Sequence, residues 1–163
     1  MFALNLPQFP IKVTKRDGRT VVFDELRRKY VALTPEEWVR QHFVHYLIHQ
    51  KGYPKGLVAN EIPLTLNGTA KRCDTVVYDR TARPRAIVEY KAPHIEITQK
   101  VFSQISRYNM ALHVDYLIVS NGLQHYCCRM DYEAHAYRFL PDIPQYGELC
   151  PTPGGEPGLT SPR

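Results

Sequence analysis

The chain has 163 residues, 44% of them hydrophobic and 23% charged, with a net charge of +5 and a pI near 9.0. That is one domain's worth of chain, able to bury roughly 70% of its unfolded surface without a disulfide or metal staple. The basic balance permits a polyanionic partner without demanding one. No run of 18 apolar residues occurs, so no helical membrane span is expected. In the opening MFALNLPQFPIKVTKR the charges follow a short apolar stretch, the reverse of a secretory signal.

Taken in chain order, residues 11–23 read as a β-hairpin around Asp17-Gly18. Thr34 then offers an N-cap, with Pro35 at the first helical position and Glu36 and Glu37 in the first turn. The Thr34–Glu37 spacing predicts a reciprocal capping box. The helix over 35–51 carries Trp38, Val39, His42, Phe43, Tyr46 and Leu47 at helical spacing and ends at Gly52, with Pro54 beyond. Three strands are expected next, over 57–66, 71–78 and 85–91, with Asn67-Gly68 opening the turn after the first. Their close spacing predicts an antiparallel meander.

A second helix over 97–112 is read with Val101, Ile105, Tyr108 and Leu112 as its apolar stripe. A strand over 115–120 can return parallel to the third, and Asn121-Gly122 turns the chain into a strand over 123–130. The tail from Pro151 is rich in Pro and Gly and reads as disordered. The expectation is therefore a single domain over 1–150, with a hairpin at 11–23 and a core over 34–140. Helices interleaved with strands imply an α/β fold, a mixed sheet covered by helices.

Cys73, Cys127, Cys128 and Cys150 include no C-x-x-C pair, so reduced thiols and a cytoplasmic location are expected. His42, His45 and His49 share a helical face, but no Cys or carboxylate stands beside them to complete a zinc site. Arg40, in the middle of the first helix, reads as exposed, the alternative being that it reaches the active-site side.

The chemistry concentrates around Glu89-Tyr90-Lys91. On an extended strand Glu89 and Lys91 point to one face, at the end of an apolar run that makes unpaired charge costly. Asp74 lies on the preceding strand. If the two strands are antiparallel neighbours, Asp74 and Glu89 can converge on one cation, with a backbone carbonyl and waters completing the shell as Mg²⁺ prefers. A cross-strand Glu–Lys pair is also an ordinary structural feature. Gln104 and Tyr108, at i and i+4, share a face of the helix that follows. Residues 71–107 hold eight Lys/Arg against four acids, and Lys71, Arg72 and Arg107 are candidate phosphate contacts, with Tyr108 beside them.

The ordered set Asp74, Glu89-x-Lys91, Gln104-x-x-x-Tyr108 resembles the PD-(D/E)xK restriction-endonuclease-like superfamily. The segments LTPEEWVRQHFVHYLI, RCDTVVYD, AIVEYKAP, QISRYN and YLIVSNGLQHY resemble the N-terminal domain of type I restriction enzyme R proteins, over roughly residues 10–140. The resemblance implies a restriction-endonuclease-like core and a DNA nuclease using Mg²⁺, with Mn²⁺ as a substitute. It implies Asp74, Glu89 and the Tyr90 carbonyl as metal ligands, Lys91 as the catalytic lysine and Gln104 as the supporting motif residue, orienting Lys91 or the substrate strand. A Glu on the first helix often joins through water. Glu37 is the candidate and Glu36 the second, although capping and the helix dipole also explain both, and Glu61 is a further candidate. DNA is the implied partner, together with restriction–modification subunits. No G-x-x-x-x-G-K-[ST] loop occurs, so no ATP-driven motor is expected in this chain. The rival reading is a nuclease fold without turnover that binds DNA or serves assembly.

Overall fold

The computed structural model describes residues 3–66, 68–110 and 112–153. The tail expected from Pro151 onward falls largely outside these residues, as does Asn67 of the Asn67-Gly68 turn. The N-terminal hairpin forms as β1 (Val13–Arg16) and β2 (Arg19–Asp24), with Asp17 and Gly18 both at positive φ in the turn. A strand not expected from the sequence, β3 (Lys29–Ala32), pairs antiparallel with β2 and makes the sheet three-stranded.

Helix α1 (Pro35–Gln50) starts as expected, with the Glu37 N–H donating to Thr34 Oγ1 at 3.1 Å. The box is not reciprocal, because the Glu37 carboxylate is drawn instead to Arg27 and Gln41. The six-stranded sheet runs in sequence order: β4 (Val58–Leu66), β5 (Thr69–Tyr78), β6 (Pro84–Tyr90), β7 (Tyr116–Ser120), β8 (His125–Asp131) and β9 (Ala136–Phe139). β4, β5 and β6 form the expected meander, and β6 pairs parallel with β7. Asn121 to Gln124 make a four-residue turn in which the Asn121 side chain accepts from the Leu123 and Gln124 N–H groups, so β8 starts two residues later than expected. β9 and the short helix α3 (Tyr146–Leu149) carry no periodic signal in the sequence.

Alternation along the strands sorts the core into layers. Val88 and Tyr90 of β6, Ile118 of β7 and Cys127 of β8 pack with Val39, Phe43 and Leu47 of α1. On the opposite side, Leu117, Val119 and Cys128 pack with Phe102 of helix α2 (Gln99–Met110). Cys127 and Cys128 therefore face different layers, and all four cysteines are free thiols. The fully buried positions of α2 are Phe102, Ser106 and Asn109; of the expected stripe, Ile105 packs on the core and Leu112 is buried just past the helix, but Tyr108 is 48% exposed. Apolar spacing misplaces part of the stripe because two of the buried positions are polar.

Candidate functional site

The β5–β6 ladder pairs Val76 with Ile87 and Thr75 with Val88. One step further, the same register sets Asp74 opposite Glu89, where the ladder gives way to a side-chain bond: the Tyr90 N–H donates to Asp74 Oδ2 at 2.9 Å. Alternation puts Glu89 on the α2 side of the sheet with Ile87, while Val88 and Tyr90 face α1. The Lys91 N–H donates to the Ser120 carbonyl at 2.9 Å, so the extended path continues and Lys91 shares the face of Glu89. All of this lies at the carboxyl end of the parallel pair β6–β7, the end at which open α/β sheets place ligands.

The Glu89 side chain is 14% exposed. Burial, together with the charge and a hydrogen bond of neighbouring Asp74, pushes its carboxyl up to about 7, against the opposing pull of Lys71. Two carboxylates this close repel, and a cation between them relieves both repulsion and desolvation. The donor set thus fits a hard divalent ion held by two carboxylates, a carbonyl and waters. Among the described residues, no cluster of three or more His, Cys, Asp or Glu stands ready for a metal. The helix histidines pack on rings instead, His45 stacking on Phe9 and lying against His49.

The counter-charge on Glu89 is Lys71 of β5, whose ammonium pairs with Glu89 Oε1. Its second contacts come from α2: Asn109 Oδ1 at 3.5 Å and the face of the Tyr108 ring, 4.9 Å from the ring centroid. The sequence suggests Lys71 as a DNA contact; in this structure its ammonium lies against Glu89. Neither the role of Lys71 nor that of Asn109 is visible in the sequence, since both need the cross-strand register. Lys91, by contrast, makes no side-chain hydrogen bond or ion pair among the described residues. Gln104 is exposed and makes no side-chain bond to Lys91 among the described residues, which leaves it open to a substrate strand, the other role expected of it. The Tyr108 hydroxyl donates to the Ala70 carbonyl at 3.4 Å, tying α2 to the start of β5.

The other side of the site is a buried charge network. Arg40 is 6% exposed, not a surface residue as expected. Its guanidinium reaches Glu61 Oε1 at 2.6 Å and the Asp74 carbonyl at 3.4 Å, and lies over the Tyr90 ring. Glu61 sits opposite Asp74 in the β4–β5 register but adopts φ +57, between the Asn60–Thr75 and Ile62–Cys73 pairs. A non-glycine residue in this region is strained, and here it interrupts the pairing beside the site. Glu61 also accepts from Arg72 at 2.7 Å, and its carboxyl is held low: burial pushes the other way, but the two arginines outweigh it. Glu37 contacts Arg27 at 2.5 Å and faces Arg40 Nε at 3.5 Å. The carboxylate of Glu37, the candidate water-mediated ligand, thus pairs with two arginines and Gln41 in this structure. Glu36 is exposed. Arg72 and Arg107 are exposed, as phosphate contacts would need to be.

A family model described as "Type I restriction enzyme R protein N terminus (HSDR_N)" matches residues 35–144. No curated protein matches the chain. Among solved structures, one that matches is a fragment assigned to an HsdR subunit of a type I restriction enzyme from Vibrio vulnificus YJ016. It is 21% identical at a TM-score of 0.51, covering 72% of this chain and 24% of that one. A second is a cryoEM structure of a DrdV–DNA complex, 16% identical at a TM-score of 0.43, covering 71% of this chain and 11% of that one. The chain therefore spans about a quarter or less of the length of these relatives.

Proposed function

The chain belongs to the type I restriction enzyme R protein N-terminal family, and we propose that it is a Mg²⁺-dependent nuclease domain hydrolysing phosphodiester bonds of DNA. The observation that carries this reading is the placement of Asp74 opposite Glu89, with Lys91 following on the same face at the carboxyl end of β6. Asp74, Glu89 and the Tyr90 carbonyl would hold the ion. When bound, Mg²⁺ supplies polarisation of a phosphoryl oxygen and a water of lowered pKa.

The residues themselves do the rest. The hydrogen bond from the Tyr90 N–H fixes the Asp74 carboxylate against the strand end. Lys91, its ammonium uncommitted among the described residues, is available to offset charge that builds on the phosphate. Arg72, Arg107 and Tyr108 lie exposed on β5 and α2, where they can meet the nucleic-acid backbone. Association with restriction–modification subunits, a cytoplasmic location and use of Mn²⁺ in place of Mg²⁺ belong to the same proposal. The rival is a DNA-binding or assembly module without turnover, in which the pairing of Glu89 with Lys71 is a closed ion pair and not a metal site at rest.

Nicking of supercoiled plasmid decides between them. The wild-type chain should nick DNA with Mg²⁺ or Mn²⁺ and not with EDTA. Asp74→Asn and Lys91→Ala should each lower the rate by at least about a hundredfold while keeping the wild-type circular dichroism spectrum. Equal rates in wild type and both variants would refute the nuclease reading, and DNA binding without any nicking would favour the module.

A further inference from the structure

We propose that Lys71 is an exchangeable counter-charge: it neutralises Glu89 while no divalent cation is held, and passes to a phosphate of the nucleic acid when a cation takes its place. The inference deepens the metal-site reading above and rests on it. Glu89 and Asp74 are adjacent carboxylates, Glu89 largely shielded from water, and such a pair needs positive charge nearby. Lys71 is what supplies it, from three residues before Asp74 on the same strand. Lys91, the lysine that follows the glutamate, makes no such pair among the described residues.

The other contacts of Lys71 describe a second resting place. Asn109 Oδ1 at 3.5 Å is a weak acceptor, and the Tyr108 ring is a cation–π platform nearly half exposed to solvent. A lysine stem is flexible and its ammonium is a point charge, so it can leave Glu89, slide along Tyr108 and meet a phosphate at the surface. In this arrangement Tyr108 positions Lys71, and the ammonium and a divalent cation compete for Glu89.

Competition gives a test that structural damage does not mimic, because removing Lys71 should improve cation binding. Mn²⁺ alone is titrated calorimetrically into the full chain, its Lys71→Met and Lys71→Gln variants, and Glu89→Gln. The two Lys71 variants should bind Mn²⁺ about tenfold more tightly than wild type, and Glu89→Gln should lose binding. With Ca²⁺ present and short duplex DNA as probe, the slope of log affinity against log salt should fall by about 1 in the Lys71 variants. Mn²⁺ binding that depends on Glu89 but is equal or weaker in both Lys71 variants would overturn the exchange while leaving the metal site standing. No Mn²⁺ binding by wild type or by any variant would overturn both.

Discussion

Of the individual side chains, Glu89 has most at stake. Burial and the neighbouring Asp74 charge push its carboxyl up to about 7, from an ordinary 4.5. A raised carboxyl stabilises the fold while protonated, so this contribution is present below about pH 4.5 and is lost as pH rises through about 7. Calorimetric melting in EDTA should therefore show the wild type losing more stability between about pH 5 and pH 8 than Glu89→Gln does. An equal loss in the two proteins would mean that Glu89 is ordinarily solvated and carries no special charge. The importance of Glu89 and Asp74 is legible in the sequence, because carboxylates at the end of an apolar strand are costly and strand spacing suggests they are neighbours. The partnership of Glu89 with Lys71 is not, since those residues are brought together only by the pairing of two strands.

Among the secondary-structure elements, the parts with strong local chemistry are the readable ones. Asp17-Gly18, the Thr34-Pro35 start and the apolar run of β6 each announce an element through a turn, a cap or a buried strand. β3 and β9 are four residues each and largely exposed, so they rest on pairing with neighbours and not on a pattern of their own. Helix α1 misleads for the opposite reason. It is covered on most sides, by the sheet, by the segment before β3 and by the N-terminal residues, so hydrophobic spacing cannot say which polar residues are hidden. Glu37, Arg40 and His42 all are.

Arg40 joins three elements, bonding Glu61 of β4 and the backbone of Asp74 in β5 from its place on α1. Removing one partner of a buried charge network leaves the others uncompensated, which typically costs about 3–5 kcal/mol. Arg40→Ala should accordingly lose about 3 kcal/mol in urea denaturation, and the loosened Asp74 backbone should weaken Mn²⁺ binding as well. A loss below about 0.5 kcal/mol would contradict the network as drawn.

Across the whole molecule, two helices on opposite faces of a mixed sheet leave one place where the ends of the parallel strands meet a neighbouring strand and a helix. That place collects Asp74 and Lys71 from β5, Glu89 and Lys91 from β6 and the residue after it, and Tyr108 and Asn109 from α2. The sheet supplies the backbone frame, the interior strands β5 and β6 supply the charged side chains, and α2 adds an amide and an aromatic ring over Lys71. Strand register thus sets the two carboxylates opposite one another, and the Lys71 ammonium reaches over to Glu89. No helix among the described residues is long and apolar enough to cross a membrane.

Whether Asp74 and Glu89 share a divalent cation can be seen by anomalous diffraction from a crystal soaked in Mn²⁺. An anomalous peak is expected at coordination distance from both carboxylates, with the Lys71 ammonium displaced from Glu89. Peaks only elsewhere, or Lys71 still on Glu89 with no ion beside Asp74, would contradict a shared ion.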